Sequence, residues 1–215
     1  MARNKYPEET VNLIVDVSAK LFIEKGYDQT SIQDIIDHLG GLSKGAIYHH
    51  FKSKEEILIA VFDKIGSSVE PEMAKIRDDK SLNGMQKLKK MFASSLEEPD
   101  QMQMMAACPR LLDNPKLLSV HIASTIYDSI PNYVEPVVME GVADGSIQTD
   151  YPNELAQFII WMSNLWLNPL VYKMTDEELT KKIAFFTQLM DSMGIPVMDN
   201  ALQDRIQKMH SLIKK

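Results

Sequence analysis

Residues 39–57 read LGGLSKGAIYHHFKSKEEI. The stretch holds glycines at 40, 41 and 45, adjacent histidines at 49 and 50, and a run of charge at its end. Three readings compete: a metal site, a phosphate-binding loop and a short helix entered through a glycine turn. Neighbouring residues on a helix point about 100° apart, so His49 and His50 diverge rather than converge on one ion. A helical metal pair needs a spacing of three or four. His38 stands eleven positions before His49, and no cysteine or paired carboxylate completes a set. The segment GGLSKG lacks the G-x-x-x-x-G-K-[ST] spacing of a phosphate loop, and no strand precedes it. The helix remains.

Working outward, the apolar residues keep a helical period on both sides of this stretch. Upstream, a helix is predicted from Pro7 to Lys25, with Pro7 at its first position and Glu8 and Glu9 at the positive end of the dipole. Val11, Ile14, Val15, Leu21 and Phe22 form its inner stripe around Ser18, and Gly26 stops it. A short second helix follows. Thr30 is its expected N-cap, Gln33 completes a capping-box pattern, and Ile32, Ile35, Ile36 and Leu39 form the buried face. Gly40 and Gly41 end it, and the third helix spans about 43–51. Ser53 and Glu56 make another capping box, opening a fourth helix that carries Ile57, Leu58, Val61, Phe62 and Ile65 and runs into the mid-seventies.

Three short helices with a tight turn between the second and third suggest a helix-turn-helix, whose second member enters the major groove. The groove, about 12 Å wide, admits one helix, so the entering end must be thin. Ser43, Gly45 and Ala46 meet that need. Ile47 and Phe51, four apart, face inward; Lys44, Tyr48 and the edges of His49 and His50 face out. Lys44 suits a phosphate or guanine, and Tyr48 a phosphate or a thymine methyl. Thr30, Ser31 and Lys54 stand at helix starts, where N–H groups and the dipole favour phosphate. Gln33, Leu42 and Lys52 complete the expected DNA-facing set. One histidine is assigned to phosphate and the other to the domain core.

The segment TSIQDIIDHLGGLSKGAIYHHFKSKEEIL (30–58), with AKLFIEKGYDQTSI (19–32) upstream, resembles the DNA-binding domain of TetR-family (tetracycline-repressor-like) transcriptional regulators. The resemblance covers roughly residues 8–65. It implies an all-α homodimer with an N-terminal DNA-binding domain. It also implies a divergent C-terminal domain that binds a small effector and dimerises through its last long helices. One departure stands out. The family turn has a single glycine before an apolar residue and a Ser or Thr; here Gly40 and Gly41 precede Leu42, an apparent one-residue insertion. Either glycine accepts φ > 0 without strain, so the turn is expected to absorb the insertion, with Leu42, Ile47 and Phe51 keeping the third helix docked.

The rest of the chain is more Met-rich and aromatic. Helices are predicted near 82–97, 101–108, 115–143, 152–171, 176–193 and 198–213. Pro131 and Pro136 are expected to kink or split the third of these, and ADGSI (143–147) to form a turn. Phe92, Met102, Met104, Met105, Trp161, Met162 and Trp166 are candidates to line an adaptable apolar pocket, with Tyr127 and Tyr133 as hydroxyl handles; core filling is the competing reading. His121 reads as a surface or core histidine before a pocket group. The stretches 153–172 and 176–193, joined by a short MTD turn, are apolar on more than one side. They suggest a four-helix dimer interface, with Phe158, Leu165, Phe185, Phe186 and Leu189 as candidates. Cys108 lies in MMAACPRLL, where burial of a small thiol explains it more simply than redox chemistry or catalysis.

The totals agree with this division. The net charge is −7, which argues against indiscriminate nucleic-acid coating. Residues 1–55 carry a net −1 and the remainder −6. No apolar run reaches the roughly 18 residues of a membrane span. The start MARNKYPEET has no apolar core, so no secretory signal is expected. One cysteine permits no intrachain disulfide and fits a reducing cytoplasm. The expected architecture is therefore all-α: a helix-turn-helix domain over 1–54, a connecting helix over 55–78, and an effector-binding and dimerisation domain over 79–215. The expected partners are double-stranded operator DNA, a second copy of the chain and an unknown small-molecule effector, with no membrane and no cofactor. The expected function is ligand-responsive regulation of transcription, repression above all. The alternatives are a helical small-molecule-binding protein or enzyme with a vestigial DNA-binding domain, and a helical adaptor for other proteins. No nucleophile, metal set or acid–base pair supports the enzyme reading.

Overall fold

The computed structural model describes residues 7–95 and 99–213, with 7, 99–101 and 104 as backbone only. Every regular element among them is helical. None of these helices is long and apolar enough to cross a membrane. The chain forms two compact units. The first comprises the described residues through Ser68 together with Gln103–Pro109; the second comprises Val69–Met102 and the residues from Arg110 onward.

The first unit is built from α1 (Pro7–Lys25), α2 (Ile32–Asp37), α3 (Lys44–His50) and the leading part of α4 (Lys54–Asp78). Most of each expected stripe is buried: Ile14, Val15, Leu21 and Phe22 from α1, Ile35 and Leu39 around α2, Ile47 and Phe51 around α3, and Ile57, Leu58 and Val61 from α4, while Val11, Ile32, Ile36, Phe62 and Ile65 are half-buried. Ser18, at the centre of the α1 stripe, is also buried, and its hydroxyl donates to the Ile14 carbonyl at 2.7 Å. Between α2 and α3, Gly40 and Gly41 both adopt left-handed backbone, at φ 62° and 107°. The insertion is thus taken up where only glycine is comfortable, and Ile47 and Phe51 still reach the core.

The cap of α2 lies one residue later than the sequence pattern suggested. Ser31, not Thr30, is the N-cap, and Asp34, not Gln33, closes the capping box. The reason is that Thr30 is needed inside. Its side chain is 1% exposed, and its hydroxyl bonds the carbonyls of Gly26 at 2.8 Å and Leu21 at 3.3 Å. Ser53 accepts from the Glu56 N–H at the start of α4, as expected, while the Glu56 carboxylate reaches back to the N–H of Lys52.

The second unit adds the remainder of α4, then α5 (Gly84–Ser94), α7 (Pro115–Ser124), α8 (Glu135–Ala143), α9 (Pro152–Trp161), α10 (Asp176–Ser192) and α11 (Asn200–Ile213). Between α5 and α7 lie α6 (Pro99–Ala107), which contributes to both units, and a 3-10 turn at Leu111–Asp113. The predicted end of α5 near 97 lies outside the described residues. α5 and α8 cross at a glycine pair: a Cβ placed on Gly84 would fall 2.3 Å from both Cα and N of Gly141. Beside the crossing, Lys87 is wholly buried and its ammonium donates to both Glu140 oxygens at 2.6 and 2.7 Å. The core behind joins Leu88, Val137, Ile159, Phe186, Leu202 and Ile206 with their neighbours.

Two helix expectations are revised. The 115–143 helix is not split. Between α7 and α8 it runs through Thr125–Val134 as a ten-residue π-helix that contains Pro131. Bonding five rather than four residues back, as Glu135 N–H does to Ile130, moves the pyrrolidine away from the carbonyl it would otherwise strike. The helix expected over 152–171 ends earlier. After α9 it widens into a π turn at Met162–Trp166, with Leu167 as its C-cap. Asn168 and Pro169 then lead a loop to Thr175, the N-cap of α10, so the connection is longer than the expected MTD turn.

Candidate nucleic-acid interface

The face of α3 opposite Ile47 is available to a partner. Ser43 caps the helix, accepting from the Ala46 N–H, and Ile47 anchors it from beneath at 0% exposure. Lys44, Gly45, Tyr48 and His49 are exposed, and Leu42, Ala46 and His50 are half-buried. The Lys44 ammonium lies 5.9 Å from the Tyr48 ring centre, so cation and phenol form one patch. The His49 and His50 rings pack edge to face, with centroids 5.0 Å apart.

Gly45 decides how this face is read. It sits inside the helix without a positive φ, and a Cβ added there would meet nothing closer than Ser43 Oγ at 3.8 Å. Glycine in a helix interior costs about 0.5–1 kcal/mol relative to alanine. No internal contact requires that cost, and the position is exposed.

Other predicted contacts are spent internally. Thr30 is corrected on the ground already given: its side chain is buried and bonded. Lys54 donates to the carbonyls of Tyr27 at 2.8 Å, Thr30 at 2.9 Å and Asp28 at 3.4 Å, and lies 4.3 Å over the Tyr27 ring. Its three N–H donors are thereby committed to the α1–α2 connection, which leaves no hydrogen for a phosphate. Tyr27 in turn stacks edge-on against Phe22, and burial, with Glu55 and Asp28 nearby, raises its phenol above the ordinary range. Ser31 is exposed but holds Asp34, whose carboxylate also pairs with Lys25 at 2.8 Å. Hydrogen bonds from Lys25 and Ser31 hold that carboxyl well below its usual pKa. Gln33 is exposed and donates to Asp37 at 2.8 Å; the Lys52 side chain is exposed.

The effector candidates are divided between the two units. Phe92, Tyr133, Met162 and Trp166 are partly buried against the core of the second unit, and Met102 is buried. Trp161 is half-buried, and Met105, also half-buried, belongs to the first unit. The Met104 side chain lies outside the described residues. Tyr127 is corrected: it is 73% exposed and lines no interior. His121 is half-buried with Nε2 3.1 Å from the Asn164 carbonyl; burial lowers its pKa, opposed by that hydrogen bond. Cys108 is buried, which pushes its thiol up to about 12. Among the interface candidates, Phe158 and Phe185 are 36% and 57% exposed, and Phe185 packs edge-on against Trp166. Leu165 and Leu189 are half-buried. Phe186 is corrected: it is wholly enclosed by its own chain's core and has no surface left for a partner.

Comparison with known proteins fits this geometry. The family profile described as bacterial regulatory proteins, tetR family, matches residues 14–61, the first unit from α1 to α4. The HTH-type transcriptional repressor KstR2 of Rhodococcus jostii is 30% identical over 168 residues, covering 73% of this chain and 78% of that one. The chain belongs to the TetR family. KstR2 of Mycolicibacterium smegmatis is 28% identical over 165 residues, with the same coverage. The fold of a TetR-family regulator from Pectobacterium atrosepticum superposes with a TM-score of 0.62 at 20% identity, over 89% of this chain and 97% of that one. The protein is therefore a DNA-binding transcriptional regulator of the TetR family and not an enzyme.

Proposed function

We propose that this TetR-family regulator acts as a homodimeric repressor on a pseudo-palindromic operator and releases it when a small molecule occupies the second unit. Residues 1–54 make the DNA contacts, α4 transmits the change, and residues 79–215 hold the effector and the partner copy. The exposed α3 face supports this reading, and Gly45 carries it: an exposed first-turn position with no side chain and no internal need for its absence. Lys44 and Tyr48 flank that gap, with Ser43, Ala46, His49, His50 and Lys52 around it. A dimer sets two such helices in successive major grooves, about 34–36 Å apart. An effector that favours another separation weakens DNA binding, and DNA weakens the effector by the same factor. The protein acts where the chromosome is, in the cytoplasm.

A mobility-shift assay on the DNA upstream of its own gene tests this. Lys44→Ala and Tyr48→Ala are each expected to lose about tenfold or more in affinity with melting temperature unchanged. Gly45→Leu is expected to remain folded, since the site has room and leucine favours helix, yet to lose the shift because its side chain fills the groove clearance. Unchanged affinity in all three would overturn α3 as the reading helix.

A further inference from the structure

The second unit contains a cavity of about 440 Å3 that none of the predicted effector residues lines. Three pieces of chain meet around it. Arg110 comes from just before the 3-10 turn, Pro169 to Thr175 from the loop ahead of α10, and His210 and Ile213 from the end of α11. These pieces are fastened together. The Leu111 N–H donates to the Leu170 carbonyl at 2.9 Å. Lys182 donates to the Trp166 carbonyl at 2.8 Å and lies 4.1 Å over the ring of Tyr172, a lining residue. His210, 3% exposed, sets its Nε2 3.5 Å from Asp176.

The chemistry of the lining is one-sided. Pro169, Met174 and Ile213 give apolar walls, while Arg110 and Lys173 supply cations; among the described residues no carboxylate lines it. This is a local exception in a chain of net charge −7. The acids at the start of α10 have partners within the chain. Glu177 pairs with Lys181 at 2.6 Å, Glu178 is held by the Thr175 cap, and Asp176 faces His210. The Arg110 Nε is buried, and its 3.2 Å approach to Asp113 is an ion pair without hydrogen-bond geometry. A guanidinium carries five N–H donors in a planar fork, and a carboxylate is its best match.

We propose that this cavity binds a small amphipathic carboxylate, with its head on Arg110 beside Lys173 and its body against Pro169, Met174 and Ile213. The volume falls within the range of small-molecule sites. Arg110 follows directly on Gln103–Pro109, which belong to the first unit. A ligand held by Arg110 is therefore one peptide bond from chain that is part of the DNA-binding body. The binding stands by itself; its consequence for the operator rests on the effector reading above.

Calorimetric titration of the full-length protein with sodium octanoate, 1-octanol and inorganic phosphate tests the site. Octanoate is expected to saturate at one per chain, with octanol and phosphate weaker by about tenfold or more. Arg110→Gln and Lys173→Gln are each expected to weaken octanoate and leave octanol unchanged; Lys173→Gln keeps the test open if Arg110→Gln fails to fold. Octanol or phosphate binding as tightly as octanoate overturns the proposal, as does octanoate binding indifferent to both substitutions or absent from the wild type. A mobility shift run in parallel separates the two readings: octanoate bound in the calorimeter with the operator complex unmoved overturns the effector role of this cavity and leaves the site standing.

Discussion

Thr30 shows how one polar side chain is diverted from surface to interior. Its position before α2 and its type both suit a helix cap, yet the hydroxyl closes the carbonyl end of α1 and the cap passes to Ser31. Thr30→Val keeps the shape and leaves two buried carbonyls without that donor, which costs about 1–3 kcal/mol. Chemical denaturation should show that loss, while operator affinity measured well below the melting temperature stays within about threefold of wild type. A large affinity loss with unchanged stability would instead return Thr30 to the DNA surface. His121 gives a pH signature. Burial lowers its folded pKa below the ordinary 6.5, so the neutral ring is the one the fold accommodates. Above that value the ring is neutral in both states and contributes no pH dependence. As pH falls through it, the unfolded chain takes up a proton that the folded chain resists, and stability falls until the folded pKa is reached. The difference in unfolding free energy between wild type and His121→Gln, followed from pH 7.5 to 5, should therefore shift against the wild type on acidification. A difference independent of pH would refute the assignment.

At the scale of elements, closeness of approach decides what each helix does. α3 is slim at Gly45 with open space around it, as the proposed reading helix requires, whereas α5 and α8 are slim at Gly84 and Gly141 for each other. Gly84→Ala would drive a Cβ into backbone that cannot yield as a side-chain tip does, so the α5–α8 crossing must open. A destabilisation of about 1–3 kcal/mol is expected by denaturation, against little change for an alanine at Gly45. The helix boundaries of the first unit were legible because caps and glycine stops act over a few residues: α1 occupies the predicted 7–25, Ser53 caps as read, and the helix expected from Ser43 starts one residue later with Ser43 as its cap. The π segment at 125–134 was not. A proline in a helical pattern reads as a break, and only the surrounding packing shows that the helix persists with wider bonding.

For the whole molecule, the proposed dimer rests on aromatic surface that a single chain leaves open. Phe158 and Phe185 remain exposed, whereas Phe186 is consumed by the core. Light scattering should return twice the 24.4 kDa chain mass. Phe185→Asp is expected to yield monomer that stays folded, because the side chain is 57% exposed, and to lose operator binding with it. A dimer that survives this change places the interface elsewhere.

The amino-acid order alone settled what acts over a few residues: the all-helical class, the glycine turn, the Ser53 cap and the short third helix whose outer face carries Lys44 and Tyr48. Period and capping are local, so they can be read without a partner. Only the tertiary structure decided which polar groups are already taken. Lys54 finds its acceptors 24 to 27 positions away, and Lys87 its carboxylate 53 positions away. A buried charge or hydroxyl is committed by whatever the fold brings within hydrogen-bond reach, and chain spacing does not encode that distance.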